Sequence, residues 1–388
     1  MNNDSSQALL PAGLSDVLPP EAGHSAEIVE RLLACFAGRG YQRVKPPLIE
    51  FEDQLLRGSA AALARETFRL LDPVSQQMMG LRADITMQVA RIAASRLGKA
   101  PRPLRLCYAG DVFRVKGAQL RPERQFTQVG FELIGAPSAA ADVEVVMLAT
   151  GALREVGVER LSVDLSLPTL IPTLSAALDL PENISTPLRQ ALDLKDASAV
   201  AVAAGKHAAL FSGLLSAAGP ASRALEAIEA LKLPKPARKE VARLAEVARA
   251  ILAGEPDLSL TIDPVENRGF EYHTGVGFTV FAPGVRGELG SGGRYLAGAA
   301  NGDPEPATGG TLYLETVLRA LPEPEARDRL FLPFGTKEAD GNTLREAGWI
   351  TLSGLENGLD AKAEARKLGC THLLVDGKPA LLTKKKED

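Results

Sequence analysis

The chain is poor in aromatic residues, poor in cysteine and has no excess of positive charge. Aromatic residues make up 5% of its 388 positions, with a single Trp, so its interior must be built mainly from aliphatic side chains. Cys35, Cys107 and Cys370 are the only cysteines. They are odd in number, far apart and without the paired spacing of a zinc site or disulfide framework, so no resident metal is expected and a reducing cytoplasm fits best. Lys and Arg total 44 against 48 Asp and Glu, a formal net charge of −4. No global positive field therefore exists to gather a polyanion. The apolar run Ala8-Leu9-Leu10 is cut by Pro11, too short for a signal segment, and no other run approaches membrane-spanning length. No P-loop or dinucleotide fingerprint is present, and no cofactor is expected.

What is present is a 45% hydrophobic chain, long enough for two or three domains. Ile28, Val29, Leu32, Leu33 and Phe36 recur at helical spacing and predict a helix over 21–36, stopped by Gly38 and Gly40. A short strand over 41–45 ends at Pro46-Pro47, whose fixed φ and missing donors stop sheet pairing. Strands are predicted over 104–108, 111–115 and 124–133, around a polar loop at 116–123. From about Leu167 to Gly254 the sequence turns rich in Ala and Leu and is punctuated by Pro181, Pro187, Pro220, Pro234 and Pro236, which reads as a separate helical insertion. Strand patterns resume at 258–263, 275–281 and 287–295. A small α/β tail closes the chain, with strands at 329–333 and 372–375 around a helix at 360–368. Lys384-Lys385-Lys386 reads as a solvated terminus.

Alternation along 124–133 puts Phe126, Gln128, Gly130 and Glu132 on one face. Arg82, Asp84 and Thr86 likewise share one side of an extended segment before a helical run at 87–97. On pattern alone, Asp84 and Thr86 serve equally well as caps of that helix, and Gln128 and Glu132 as a solvated sheet face. A second cluster runs RGFEYHTG from Arg268 to Gly275, then GELGSGGRY from Gly287 to Tyr295, where Gly290, Gly292 and Gly293 permit close backbone approach. His273 has no partner at metal-ligand or triad spacing and reads as a packed residue.

Taken in order over roughly residues 10–320, these segments resemble the histidyl-tRNA synthetase family. PAGLSDVLPPEA (Pro11 to Ala22) resembles its N-terminal signature, Pro47 the proline of the dimer-forming motif 1, and LRADIT (Leu81 to Thr86) its Arg-Pro-Glu-Gly-Thr segment. DVFRVKGAQLRPERQFTQVGFELIG (Asp111 to Gly135) resembles motif 2, and RGFEYHTG with GELGSGGRY the two histidine-specific motifs. The implied fold is α+β: a class II aminoacyl-tRNA synthetase-like antiparallel sheet of six or seven strands flanked by helices. Residues 1–166 and 255–322 would form its two parts, 167–254 the helical insertion and 323–388 a small C-terminal α/β domain.

The resemblance implies that Asp84, Thr86, Gln128 and Glu132 hold the amino and imidazole groups of histidine, with Arg114, Arg268, Tyr272 and Tyr295 completing the site. Charge-assisted hydrogen bonds of this kind contribute about 1.5–3 kcal/mol each. Departures fall on the nucleotide side. Lys116 stands where the family has an acidic residue and Thr316 where it has the arginine of motif 3, and loss of one such donor costs about 2.7–4 kcal/mol of transition-state stabilisation. Asp84 replaces a longer Glu and His273 a Tyr. The part after Ala320 is shorter than the family's anticodon-binding domain. The resemblance thus points to the non-catalytic paralogues that act in histidine biosynthesis. Such a chain has no catalytic residues of its own, forms a dimer within a hetero-oligomer with a short-form ATP phosphoribosyltransferase catalytic subunit, and takes histidine as effector. Neither tRNA nor a membrane is an expected partner. A divergent active synthetase and a stand-alone histidine sensor are the alternatives.

Overall fold

The computed structural model describes residues 10–56, 63–117, 121–266, 272–298, 304–324 and 327–382, so the expectations placed on Arg268 and on Lys384 to Lys386 lie outside the described residues. Helix α1 (Glu21–Gly38) buries Ile28, Leu32, Leu33 and Phe36. Each such side chain contributes about 1.5–3 kcal/mol by leaving water. After it, Gly40 takes the left-handed backbone, with φ +84°, which a helix exit favours. The short strand β1 (Gln42–Arg43) follows. Next, β2 (Ile49–Phe51), helix α2 (Glu52–Leu55), β3 (Arg69–Leu71) and β4 (Met78–Leu81) give a separate sheet of order β2-β4-β3. Helix α3 (Thr86–Ser95) leads to β5 (Leu104–Phe113) and β6 (Gln125–Ile134), one long antiparallel hairpin. The predicted break between Tyr108 and Asp111 does not occur. Gly110 remains in the ladder opposite Gln128, and the absent side chain leaves room for the Arg82 guanidinium, 2.2 Å from where a β-carbon would stand.

Helix α4 (Ala139–Val156) and strand β7 (Ser162–Ser166) precede the helical stretch. That stretch contains α5 (Leu170–Ala177), α6 (Glu182–Asp193), α7 (Ala197–Ala204), α8 (Ala208–Ser216), the two-residue β8 (Gly219–Pro220), α9 (Ala221–Glu229) and α10 (Lys235–Gly254). Pro181, Pro220 and Pro234 each occupy the position just before a helix. A proline is tolerated there because no intrahelical donor is lost. Residues 197–216 are apolar and long enough to span a bilayer, at a mean hydropathy of 1.3, which the sequence reading overlooked. They form two helices broken at Gly205, with Val200, Ala204, Phe211 and Leu214 in the core. The chain then adds β9 (Ser259–Asp263), β10 (Gly277–Phe281), β11 (Gly290–Ala297), β12 (Glu305–Tyr313) and helix α11 (Leu314–Ala320).

The main sheet has nine strands in the order β1-β5-β6-β12-β11-β10-β7-β9-β8. Its six central strands, β5 to β7 in that order, are antiparallel throughout. Toward the edges, β1 pairs with β5 and β7 with β9 in parallel. The expected six-stranded antiparallel sheet is present at the centre, and the parallel strands added toward its edges make the whole sheet mixed. Parallel neighbours need a long crossover, and the helices between β7 and β9 supply it. One face carries Val129, Phe131, Leu133, Phe278 and Val280 against α1, α4 and the 170–254 helices, which share this one core with the sheet. The other face carries Leu106, Tyr108, Phe126, Ile134 and Tyr295 against Ile85, Val89, Ala90 and Ala93 of the α3 segment.

Residues 323–388 form a second compact unit. Strands β13 (Arg329–Leu332), β14 (Ile350–Ser353), β15 (His372–Val375) and β16 (Lys378–Leu381) take the order β14-β13-β15-β16, with helices α12 (Glu338–Glu346) and α13 (Ala361–Lys367) as connections. The sequence reading lacked α12, β14 and β16. The sequence of α12 is polar almost throughout and only Gly341 is buried, so no apolar period marked it.

One buried ionic group ties the helical stretch to the sheet. Asp142 of α4, 2% exposed, accepts Arg243 of α10 at 2.8 Å, Arg294 of β11 at 2.7 Å and the Thr308 hydroxyl of β12 at 2.8 Å. Removing one member of such a group strands buried charge. Asp142→Ala is expected to destabilise the nine-stranded sheet and its helices by about 3–5 kcal/mol in denaturant unfolding, and a loss below about 1 kcal/mol would show the arginines to be satisfied elsewhere.

Candidate functional site

On the α3 side of the sheet, Glu132 faces Gly309 across the ladder, and Gly293 and Gly277 continue the same row through β11 and β10. A β-carbon at 309 would fall 1.7 Å from Glu132 Oε2, so only glycine lets the carboxylate lie flat on the sheet. The same device seats Tyr108, whose ring would be 2.3 Å from a β-carbon at Gly130, its ladder partner. Glu132 is 1% exposed. Its Oε2 accepts the Tyr295 hydroxyl at 2.9 Å and its Oε1 the Tyr108 hydroxyl at 3.3 Å. Tyr108 Oη also lies 3.1 Å from Thr86 Oγ1 and 3.0 Å from Thr311 Oγ1.

A second set of bonds joins this face to α3. Gln128 Nε2 donates to Asp84 Oδ2 at 2.8 Å, while Gln128 Oε1 accepts the Ile85 amide at 3.0 Å. Asp84 Oδ1 accepts the Thr86 amide at 2.8 Å, so Asp84 satisfies an otherwise orphaned donor of the first turn and still reaches the sheet. Neither residue offered as a cap is the N-cap, which is Ile85; Asp84 binds the Thr86 amide from the position before it. Gln128 and Glu132 are buried, which removes the solvated-face reading. Asp84, Thr86, Gln128, Glu132 and Tyr295 thus form one cluster. Tyr272 borders it, its ring 6.2 Å from that of Tyr295. His273 is buried with its ring 4.5 Å from Tyr272, over the glycine row, and desolvation lowers its pKa to about 3, so it stays neutral.

Arg114 lies further along, 3.4 Å from Glu66 and 5.3 Å from the Phe126 ring centre, outside the carboxylate cluster. Lys116 is exposed, and Thr316 is buried, accepting Arg319 Nη2 at 3.1 Å. Sequence reasoning missed Tyr108, Thr311 and Arg121. The first two are set by register: Tyr108 and Thr311 both oppose Gly130, a pairing no local pattern displays.

Burial without a compensating cation raises the pKa of Glu132 to about 8. Desolvation is the main cause, opposed by the Tyr295 hydroxyl and reinforced by the charge of Asp84. Burial likewise holds Tyr108, Tyr272 and Tyr295 protonated, hence as donors. A site with two carboxyl groups, an amide and the hydroxyls of Thr86, Tyr108, Tyr272, Tyr295 and Thr311 suits a small ligand bearing cationic or N–H groups.

A sheet of this topology with α1 and the motif 2 hairpin around such a cluster is that of a class II aminoacyl-tRNA synthetase-like protein. The family model for histidyl-tRNA synthetase matches residues 13–317. The chain is 56% identical to an ATP phosphoribosyltransferase regulatory subunit of Rhodospirillum centenum, with 96% of each chain covered. It is 54% identical to the protein of that name from Paramagnetospirillum magneticum, covering 96% of this chain and 98% of the relative. Among solved structures, an ATP phosphoribosyltransferase regulatory subunit/histidyl-tRNA synthetase from Bacillus halodurans superposes with a TM-score of 0.79 at 24% identity, covering 93% of this chain and 96% of that one, a likeness of fold. The chain belongs to the ATP phosphoribosyltransferase regulatory subunits, a branch of the histidyl-tRNA synthetase family.

Because the folded state binds the Glu132 proton more tightly than the unfolded chain, its contribution to stability is complete below pH 4.5 and is lost as pH rises through about 8. Glu132→Gln is expected to flatten that part of the Tm-against-pH curve. A parent and variant whose Tm values run parallel across the window would place the proton elsewhere.

Proposed function

We propose that this chain is the non-catalytic subunit that activates a short-form ATP phosphoribosyltransferase and that histidine binds its buried Asp84, Gln128 and Glu132 cluster as feedback effector. The observation that carries the reading is that cluster. Its paired carboxyl groups complement an ammonium and an imidazole N–H, and Tyr295 stands beside them on β11. Thr86 and Tyr272 complete the proposed pocket, to which the resemblance would add Arg114 and Arg268. Transferase chemistry, the joining of ATP to phosphoribosyl pyrophosphate, resides on the partner, because this sequence carries no acidic phosphoribosyl-pyrophosphate loop.

The non-catalytic reading draws support from the nucleotide side. Arg114 is paired with Glu66 at 3.4 Å and Arg319 with Glu123 at 3.6 Å, so cations that would meet a triphosphate already face the chain's own carboxylates. An assembly of dimers with catalytic subunits in the cytoplasm, without tRNA, completes the proposal. Exposed Leu48, Ile49, Phe51, Leu71 and Met78 in and beside the small β2-β4-β3 sheet offer apolar surface for such assembly. Effector and partner would be linked reciprocally: histidine that lowers the partner's activity binds with altered affinity once the partner is attached.

Reconstitution is the decisive experiment. Mixing the purified chain with the short catalytic subunit is expected to raise phosphoribosyltransferase activity, and added histidine to lower it; no gain on mixing would sink the proposal. Robust ATP–pyrophosphate exchange by the chain alone would instead favour an active synthetase. For the pocket, Gln128→Ala and Glu132→Ala are expected to weaken histidine binding about tenfold or more in calorimetry, with the dimer intact by light scattering. Unchanged affinity would move the histidine site elsewhere.

A further inference from the structure

The face that carries Glu132 and Gln128 continues along β6 to Phe126, roughly 7 Å beyond Gln128 by the rise of a strand. Tyr313 of β12 lies opposite Gln128 on that face, and its ring meets the Phe126 ring edge-on with centres 6.1 Å apart. The guanidinium of Arg121 lies over the Tyr313 ring and beside the Phe126 ring, in the corner that the two rings form. Its central carbon is 3.6 Å from the Tyr313 ring centre and 4.9 Å from that of Phe126. Arg121 is 8% exposed, and its Nη2 donates to Glu288 Oε1 at 2.7 Å. Tyr313 is itself fixed by Ser291, their hydroxyl oxygens being 3.0 Å apart.

We propose that Arg121 is a specificity-determining residue, an internal stopper that covers the Tyr313 and Phe126 rings beside the proposed amino-acid site and so confines that site to a ligand the size of one amino acid. The physical argument is one of shape and charge. A planar cation packed against aromatic faces takes the position that a planar heterocycle would otherwise occupy, and holds it by stacking and cation–π attraction. The tether to Glu288 matters as much. The pair is half-buried and so less screened than a surface ion pair, and withdrawing Arg121 would leave Glu288 without its partner. With the stopper gone, the faces of Phe126 and Tyr313 are open to a base. The parent chain thus rejects a nucleotide through its own side chain, in addition to the charge changes at Lys116 and Thr316.

This inference rests on the amino-acid reading of the adjoining pocket, and the experiment separates the two. ATP is titrated into the full chain, into Arg121→Ala and into Glu288→Gln, with far-ultraviolet circular dichroism to confirm the fold of each. Arg121→Ala is expected to bind ATP at least tenfold more tightly than the parent, and Glu288→Gln, which loosens the stopper without removing it, to show a smaller gain. A folded Arg121→Ala that gains no affinity overturns the assignment, as does a parent that binds ATP as tightly as the variant. Should Arg121→Ala fail to fold, Glu288→Gln decides, and no gain there is equally fatal. Histidine titrated into the parent tests the amino-acid reading by itself, so its failure leaves the ATP comparison to decide the role of Arg121.

Discussion

Holding a carboxyl group against the middle of a β-sheet is the constraint on which the candidate site depends. Ordinary side chains on neighbouring strands would exclude Glu132, and removal from water would destabilise it without hydrogen bonds. Gly309 solves the first difficulty by leaving space directly opposite, and the hydroxyls of Tyr295 and Tyr108 answer the second. Tyr108 in turn fits only because residue 130 is also glycine. The glycines across β6, β12, β11 and β10 are thus part of the site although none carries a functional group.

The sheet also joins this site to the far side of the molecule. On β11, Tyr295 reaches Glu132 on one face while its neighbour Arg294 binds Asp142 on the other. Asp142 also binds Arg243 of α10, so a single strand connects the polar cluster with the helical stretch. Alternation of successive residues across a strand makes such a link rigid and short. It gives a ligand at Glu132 a physical connection to helices outside the site, through groups whose burial makes them intolerant of misplacement.

The organisation legible in the sequence was that of strong local patterns. The apolar spacing of α1, the long hairpin, the proline-bounded helices and the final strand–helix–strand all have chemistry that acts within a few residues. Elements with weak local signals went unread: α12 has almost no apolar face, β8 has two residues, and β2, β3 and β4 have exposed positions on a small sheet. The parallel pairing of β7 with β9 was also hidden, because partners separated by six helices leave no trace in either strand.

For the candidate site, the sequence by itself singled out Asp84, Thr86, Gln128, Glu132 and Tyr295, which stand in segments whose motifs and alternation mark them. Only the tertiary structure decided their state. Register set Gly309 against Glu132 and Gly130 against Tyr108, burial turned a nominally solvated carboxylate into a proton-holding one, and the packing of α3 let Asp84 bind the first helical amide and meet Gln128 at once. Arg121 marks the same boundary. Its charge is plain in the sequence, but its place over Tyr313 and beside Phe126 comes from three segments meeting in space, and stacking depends on distances that no local pattern encodes.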